Sequence, residues 1–266
     1  MNIIDIHAHV YPHKVAVKAS ANIGNFYHIH MNHDGTTECL LREGVSGGVG
    51  RYVIHSVATA ASQVAPINDF IASEVHAHPD RFIGFATLHP DMDDPEGELR
   101  RALNLGLKGV KLHPDFQRFR ADSPEAIRLF RACAELGAPV LMHTGDVRHD
   151  FSRPWMVPPV LEACGGRLKL ICAHFGGWSE WMAAVRWLKG QDIWVDTASS
   201  SYALSENQLR ELIGVYGEDR VIFGSDYPMW DPGEEARQLM ALGLGAEAEE
   251  KIFHRNLEKL LGLEEK

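Results

Sequence analysis

The chain has 266 residues, 45% hydrophobic and 23% charged, with a formal net charge of -10; this balance fits one globular domain able to bury roughly three quarters of its unfolded surface. No run approaches the ~18 uncharged apolar residues of a membrane span, and the opening MNIIDIHAHV lacks the basic and apolar regions of a secretion signal, so an unexported, cytoplasmic protein is expected. Scattered Lys and Arg in an acidic chain exclude a nucleic-acid surface, and four distant cysteines, Cys39, Cys133, Cys164 and Cys172, argue for reduced core thiols over a disulfide framework or zinc ribbon.

Short β-branched apolar runs recur, each followed by a longer amphipathic segment, which is the pattern of βα units around a parallel sheet. Eight strands are predicted: Ile3–Ile6, Arg51–Ser56, Phe82–Leu88, Gly109–His113, Pro139–His143, Lys169–His174, Ile193–Thr197 and Val221–Ser225. Eight with no odd ninth favour a closed (β/α)8 TIM barrel, whose usual length of about 250 residues matches the chain, and no linker divides residues 1–266. The stretch Tyr11–Gly35 reads as one long irregular loop after the first strand, a lid or substrate wall. Within it His28, His30 and His33 admit either a polar lid or a second metal site, the lid being preferred. Gly44-Val45-Ser46-Gly47-Gly48 matches the GxSxG nucleophile pattern but precedes a strand, so it reads as a helix end. Helices are expected over Pro66–Val75, after the Asp122-Ser123-Pro124-Glu125 cap, from the Ser205/Gln208 capping box, and over Glu247–Leu261, with Gly137 and Gly217 as helix ends. The acidic run Asp91–Glu96 lacks a calcium loop's glycine and reads as a helix N-terminus.

His7 and His9 end the first strand two residues apart, so both side chains project from one face, where two neutral imidazoles can share a metal. His143, His174 and Asp226 stand at the ends of the fifth, sixth and eighth apolar strands, the positions from which a barrel gathers catalytic groups. Burying such polar groups without partners would cost several kcal/mol apiece, roughly, so a shared ligand is the economical explanation.

This arrangement resembles the amidohydrolase superfamily, in particular the amidohydrolase-2 branch that includes aminocarboxymuconate-semialdehyde decarboxylase. The likeness extends to Arg81-Phe82-Ile83-Gly84-Phe85, Gly109-Val110-Lys111-Leu112-His113-Pro114, Ala173-His174-Phe175-Gly176-Gly177 and Phe223-Gly224-Ser225-Asp226-Tyr227-Pro228, and covers nearly the whole chain. It implies that His7, His9, His143 and Asp226 bind one divalent metal, zinc by expectation with manganese as the alternative. Asp226 would also exchange a proton with the attacking water, and His174 would act beside the metal in proton transfer. Lys111 has two readings: the carboxylated bridging lysine of binuclear relatives, or an inner hydrogen-bond donor in a one-metal site, which the branch resemblance favours. His113, Arg148 and Trp178 are expected to contact a small-molecule substrate together with Lys111, Arg148 through its carboxylate-matching fork. His55, His89, and the Ser199-Ser200-Ser201-Tyr202 turn are divided between pocket-lining and plain structural roles. Hydrolysis of a C–O or C–N bond is the first functional expectation, metal-dependent decarboxylation the alternative, and a non-catalytic metal-binding barrel the third. A homodimer is carried only as a fold-level analogy.

Overall fold

A computed structural model describes residues 2–263. Strands β1 (Ile4–His9), β2 (Arg51–His55), β3 (Phe82–Thr87), β4 (Gly109–Leu112), β5 (Val140–Met142), β6 (Leu170–Cys172), β7 (Trp194–Asp196) and β8 (Val221–Ile222) lie in one sheet in the order β1 to β8. The last strand returns to the first: the Ile6 amide donates to the Phe223 carbonyl at 3.0 Å, and Ala8 bridges Tyr227 in parallel. An in-order sheet closed in this way has the (β/α)8 topology expected from the strand count. Parallel strands covered on both faces need apolar residues throughout. β3, β4, β5 and β6 are accordingly buried along their whole length, while β1 buries Asp5, His7 and His9 at alternate positions.

Twelve α-helices accompany the strands: α1 (His13–Tyr27), α2 (Thr37–Glu43), α3 (Val64–Ala77), α4 (Pro95–Asn104), α5 (Pro114–Gln117), α6 (Pro124–Glu135), α7 (Val157–Ala163), α8 (Trp181–Leu188), α9 (Glu206–Tyr216), α10 (Pro232–Ala241), α11 (Ala246–Glu250) and α12 (Asn256–Leu261), counted among the described residues. The predicted caps form. Ser123 accepts from the Ala126 amide, Asp94 from Gly97, and Ser205 and Gln208 complete their reciprocal box. The GxSxG segment is the 3-10 end of α2.

One expectation fails outright. Tyr11–Gly35 is not an irregular loop, because α1 occupies fifteen residues of it. Its buried positions are Ala16, Ser20 and Gly24, while Val15 and Val17 face outward, so the inward stripe is small and the large apolar residues lie on the wrong side for a periodicity search. A Cβ on Gly24 would stand 2.7 Å from the Ile29 carbonyl oxygen, so the close approach of the returning chain requires glycine there. The C-terminal helix is continuous as expected except for a π turn over Lys251–Arg255. There the Ile252 carbonyl accepts the Phe223 amide at 2.9 Å, a bond to the end of β8 that the wider turn leaves room for.

The described residues pack as two compact units, 2–55 with 74–83 and 197–263, and 56–73 with 84–196. In the first, Asp5 ties β1 to the segment after β8 by accepting the amides of His7 at 2.8 Å and Ser225 at 3.0 Å and the Ser225 hydroxyl at 2.5 Å. In the second, the buried Asn68 amide completes the edge of β3, accepting from the Thr87 amide at 2.7 Å and donating to its carbonyl at 3.2 Å. All four cysteines are buried and unbridged. Among the described residues no helix is long and apolar enough to cross a membrane.

Candidate active site

In the first unit, the alternation of β1 delivers His7 and His9 to one buried cluster. His7 Nε2 lies 3.2 Å and His9 Nε2 3.7 Å from Asp226 Oδ1. His55, from the end of β2, stands edge-on to His9 with ring centres 4.4 Å apart, and the ligand nitrogens of His7, His9 and His55 fall within 4.8 Å of one another. This donor set fits a divalent metal. Bonds of about 2.1 Å give ligand–ligand edges of about 3.0 Å in an octahedron and about 3.4 Å in a tetrahedron, close to the separations here. Asp226 has φ +68° and donates its amide to the His7 carbonyl at 2.9 Å, which fixes the carboxylate against β1. Burial and the Asp226 charge push the Tyr11 phenol well above its ordinary range, so it remains a proton donor.

In the second unit, His143 and His174 follow β5 and β6, and His143 Nδ1 meets His174 Nε2 at 3.0 Å. His174 has φ +61°, held by its amide donating to Asp196 at 2.7 Å. His143 Nε2 stands 3.8 Å from Asp115 Oδ2. Burial raises the Asp115 carboxyl to about 7, against the hydrogen bond from Ser152 that lowers it.

His113 stacks on His143 with ring centres 4.0 Å apart and planes 7° from parallel. It also caps α5, with Nδ1 accepting the Phe116 amide at 3.3 Å. His89, after β3, accepts the Asp91 amide on Nδ1 at 3.2 Å, and burial lowers its pKa. A neutral imidazole whose Nδ1 accepts carries its proton on Nε2. Both histidines therefore present Nε2–H donors, which suits His113 to an oxygen of a substrate and unsuits it to a metal.

Lys111 is fully buried on β4, in register with Thr87 and Leu141. The fork of Arg148, expected to anchor a substrate carboxylate, lies on Asp146, with Nε to Oδ1 at 2.9 Å and Nη2 to Oδ2 at 2.7 Å. The guanidinium also covers the buried Trp178 ring at 5.2 Å, so both residues brace the loop after β5. That loop depends on Gly145, whose φ of +101° and approach to Trp178 leave no room for a Cβ, which would sit 2.4 Å from the Trp178 nitrogen.

Of the three loop histidines, His28 and His30 are exposed; His33 lies near Cys39 and Glu43. The Arg42 guanidinium stands 3.2 Å from Cys39 Sγ and 2.7 Å from Glu43 Oε1, so the chain supplies its own cation to that cluster. The turn after β7 is put to use. Ser199 donates to Asp226 and Ser201 contacts both Glu235 oxygens, at 2.8 and 2.6 Å. Asp5, Asp115 and Asp196 belong to these clusters and were not assigned by sequence reasoning, which left Ser199 divided between a pocket and a structural role. Asp196 closes its apolar strand as His143 and His174 follow theirs, a signal that was available; Asp5 and Ser199 act through partners remote in sequence.

Tyr202, Trp230, His33, Ser201 and Glu235 line a cavity of about 250 Å³. Burial raises the Glu235 carboxyl from 4.5 to about 7. One serine proton cannot serve two short oxygen contacts equally, and a protonated Glu235 resolves them by donating one and accepting the other. Because the folded pKa lies above the unfolded one, the unfolded chain releases this proton first, and stability falls as pH rises from 4.5 to about 7. At about 1.4 kcal/mol per unit, Glu235→Gln is expected to gain about 3 kcal/mol at pH 8, roughly 6–12 °C in Tm, and almost nothing at pH 4.5. Scanning calorimetry across that range checks it; a gain independent of pH would contradict the protonated assignment.

The sequence profile of the Amidohydrolase family matches residues 4–263. A 2-amino-3-carboxymuconate-6-semialdehyde decarboxylase from Dictyostelium discoideum is 29% identical over 202 residues, 61% of this chain and 55% of that protein. The match thus spans about half of that relative's length. An uncharacterized TIM-barrel protein from Bordetella bronchiseptica superposes with a TM-score of 0.80 at 20% identity, covering 98% of this chain and 99% of the other. A dihydroxybenzoic acid decarboxylase from Polaromonas sp. JS666, with bound manganese and the inhibitor 2-nitroresorcinol, gives 0.75 at 17% identity, covering 100% and 98%. These structures share the (β/α)8 fold, and with the family profile spanning nearly all of it, the chain belongs to the amidohydrolase-2 family.

Proposed function

We propose that this protein is a metal-dependent, non-oxidative decarboxylase of a small carboxylic acid whose carboxyl sits on an aromatic or unsaturated carbon. The observation that carries the reading is the 29% identity to an aminocarboxymuconate-semialdehyde decarboxylase; the manganese-bound dihydroxybenzoic acid decarboxylase of the same fold supports it. Sequence alone put hydrolysis first, and the relatives reverse that order.

In this reading His7, His9, His143 and Asp226 hold one divalent ion, manganese or zinc. Such an ion acts as a Lewis acid on a substrate oxygen. His174 holds a proton beside His143 and passes it to the substrate carbon as the C–C bond to the carboxylate breaks; CO₂ leaves, and the bonding electrons take up that proton. His113 and Lys111 donate hydrogen bonds that fix the substrate's oxygens, and the near-complete burial of His143 and His174 limits water near the transferred proton.

The test is to incubate metal-loaded protein with aromatic acids, unsaturated acids, lactones and amides in D₂O and, separately, in ¹⁸O-water. One solvent deuteron in the product with matching CO₂ release is expected. Oxygen-18 in the product of a lactone or amide, with no CO₂ from any acid, would overturn the reading in favour of hydrolysis.

A further inference from the structure

We propose that Ser199 and Trp230 are positioning residues that commit Asp226 to present a single carboxylate oxygen, Oδ1, to His7 and His9. Trp230 Nε1 lies 2.8 Å from Ser199 Oγ, and Ser199 Oγ lies 2.5 Å from Asp226 Oδ2. An indole nitrogen can only donate, so the serine oxygen accepts at that contact. Its own single proton must then go elsewhere, and the choice is between the Asp226 carboxylate and the Met229 sulfur at 3.5 Å, a weak acceptor. The carboxylate takes it. The relay therefore has one direction, from Trp230 through Ser199 to Asp226 Oδ2.

Both ends are built for this. Ser199 has φ +47° and Asp226 φ +68°, backbone positions that L-residues seldom adopt and that here aim the two side chains at each other. Ser199 is fully buried. The Trp230 ring is fixed by stacking on Tyr202, with centres 4.9 Å apart and planes 22° from parallel. With Oδ2 engaged, Oδ1 is the oxygen left facing His7 Nε2 at 3.2 Å and His9 Nε2 at 3.7 Å. The carboxylate would then offer a bound ion Oδ1 alone.

This inference rests on Asp226 being a metal ligand. Ser199→Gly removes the hydroxyl, and because glycine adopts φ +47° without strain, relief of the backbone offsets part of the two lost hydrogen bonds, so the metal-free protein should still fold and melt in one transition. Trp230→Phe keeps a ring against Tyr202 and deletes only the N–H donor. Dissociation constants for Mn²⁺ and Zn²⁺, measured by chelator competition, should weaken about 10–100-fold in Ser199→Gly and by less in Trp230→Phe, the scale expected when a ligand loses its orienting partner. The Co²⁺-substituted Ser199→Gly protein should show weaker visible absorption than wild type as the freed carboxylate closes on the ion and raises its coordination number. If Asp226→Ala loses metal but Ser199→Gly keeps the wild-type constant and Co²⁺ spectrum, the relay is overturned and the ligand assignment stands. If Asp226→Ala itself keeps wild-type affinity, both are overturned.

Discussion

Replacing His174 with Asn is expected to cut turnover by about 10²–10⁴-fold, some 3–5 kcal/mol of transition-state stabilisation, while leaving one metal ion per chain. The geometry separates its two abilities. The His174 backbone is held by Asp196 at 2.7 Å, a contact that uses the main-chain amide and survives any side-chain change. Its ring meets His143 Nδ1 at 3.0 Å, the nitrogen that remains when His143 offers Nε2 to a metal. An Asn amide can still hydrogen-bond His143 Nδ1, which keeps that ring oriented, but it cannot store a proton near neutral pH. Metal analysis beside kcat measurement decides the matter: loss of the ion in His174→Asn would make His174 a ligand, and unchanged kcat would remove it from the chemistry.

The strands were legible because parallel strands buried on both faces are continuous apolar runs, and those here end abruptly in polar residues. Pro139–His143 brackets the observed Val140–Met142, and Lys169–His174 brackets Leu170–Cys172. The flanking histidines fall just outside the ladders because the backbone turns there; His174 already has positive φ. The ends that carry chemistry were therefore legible although the limits were not: Val221–Ser225 runs three residues past the observed Val221–Ile222, and Ile3–Ile6 stops three short of the observed end at His9. α1 was not legible, since its buried stripe of Ala16, Ser20 and Gly24 carries no hydrophobic signal and Pro12 provides no side-chain cap.

Within the site, residue types and strand positions were readable but partnerships were not. Arg148 looked like a substrate anchor because a guanidinium fork fits any carboxylate, and the carboxylate it grips in the structure belongs to Asp146, two residues away. Asp5 and Ser225 are 220 residues apart, and Ser199 and Asp226 are 27 apart, so no local pattern links them. His113 illustrates the finer limit. Its place at the end of β4 marked it as a site residue, yet only the hydrogen bond from the Phe116 amide fixes which nitrogen bears the proton, and hence that it donates.

That tautomer bears on the metal count. His7, His9 and His55 form one group with ligand spacing, and His113, Asp115 and His143 form another, so one shared ion and two separate ions are distinct expectations. The second group is poorly equipped to hold an ion alone. His113 presents N–H instead of a lone pair, which leaves His143 and Asp115, and two protein donors do not by themselves make a closed site for a divalent ion. On the one-ion reading proposed above, purified wild-type protein should contain one ion per chain. His7→Ala and His143→Ala should each abolish stoichiometric binding, weakening it by more than the roughly 10–100-fold that follows loss of an orienting partner. Two ions in the wild type, with one retained in each variant, would mean two independent centres and would reopen carboxylated Lys111 as a bridge. One ion retained by His143→Ala would confine the centre to His7, His9, His55 and Asp226.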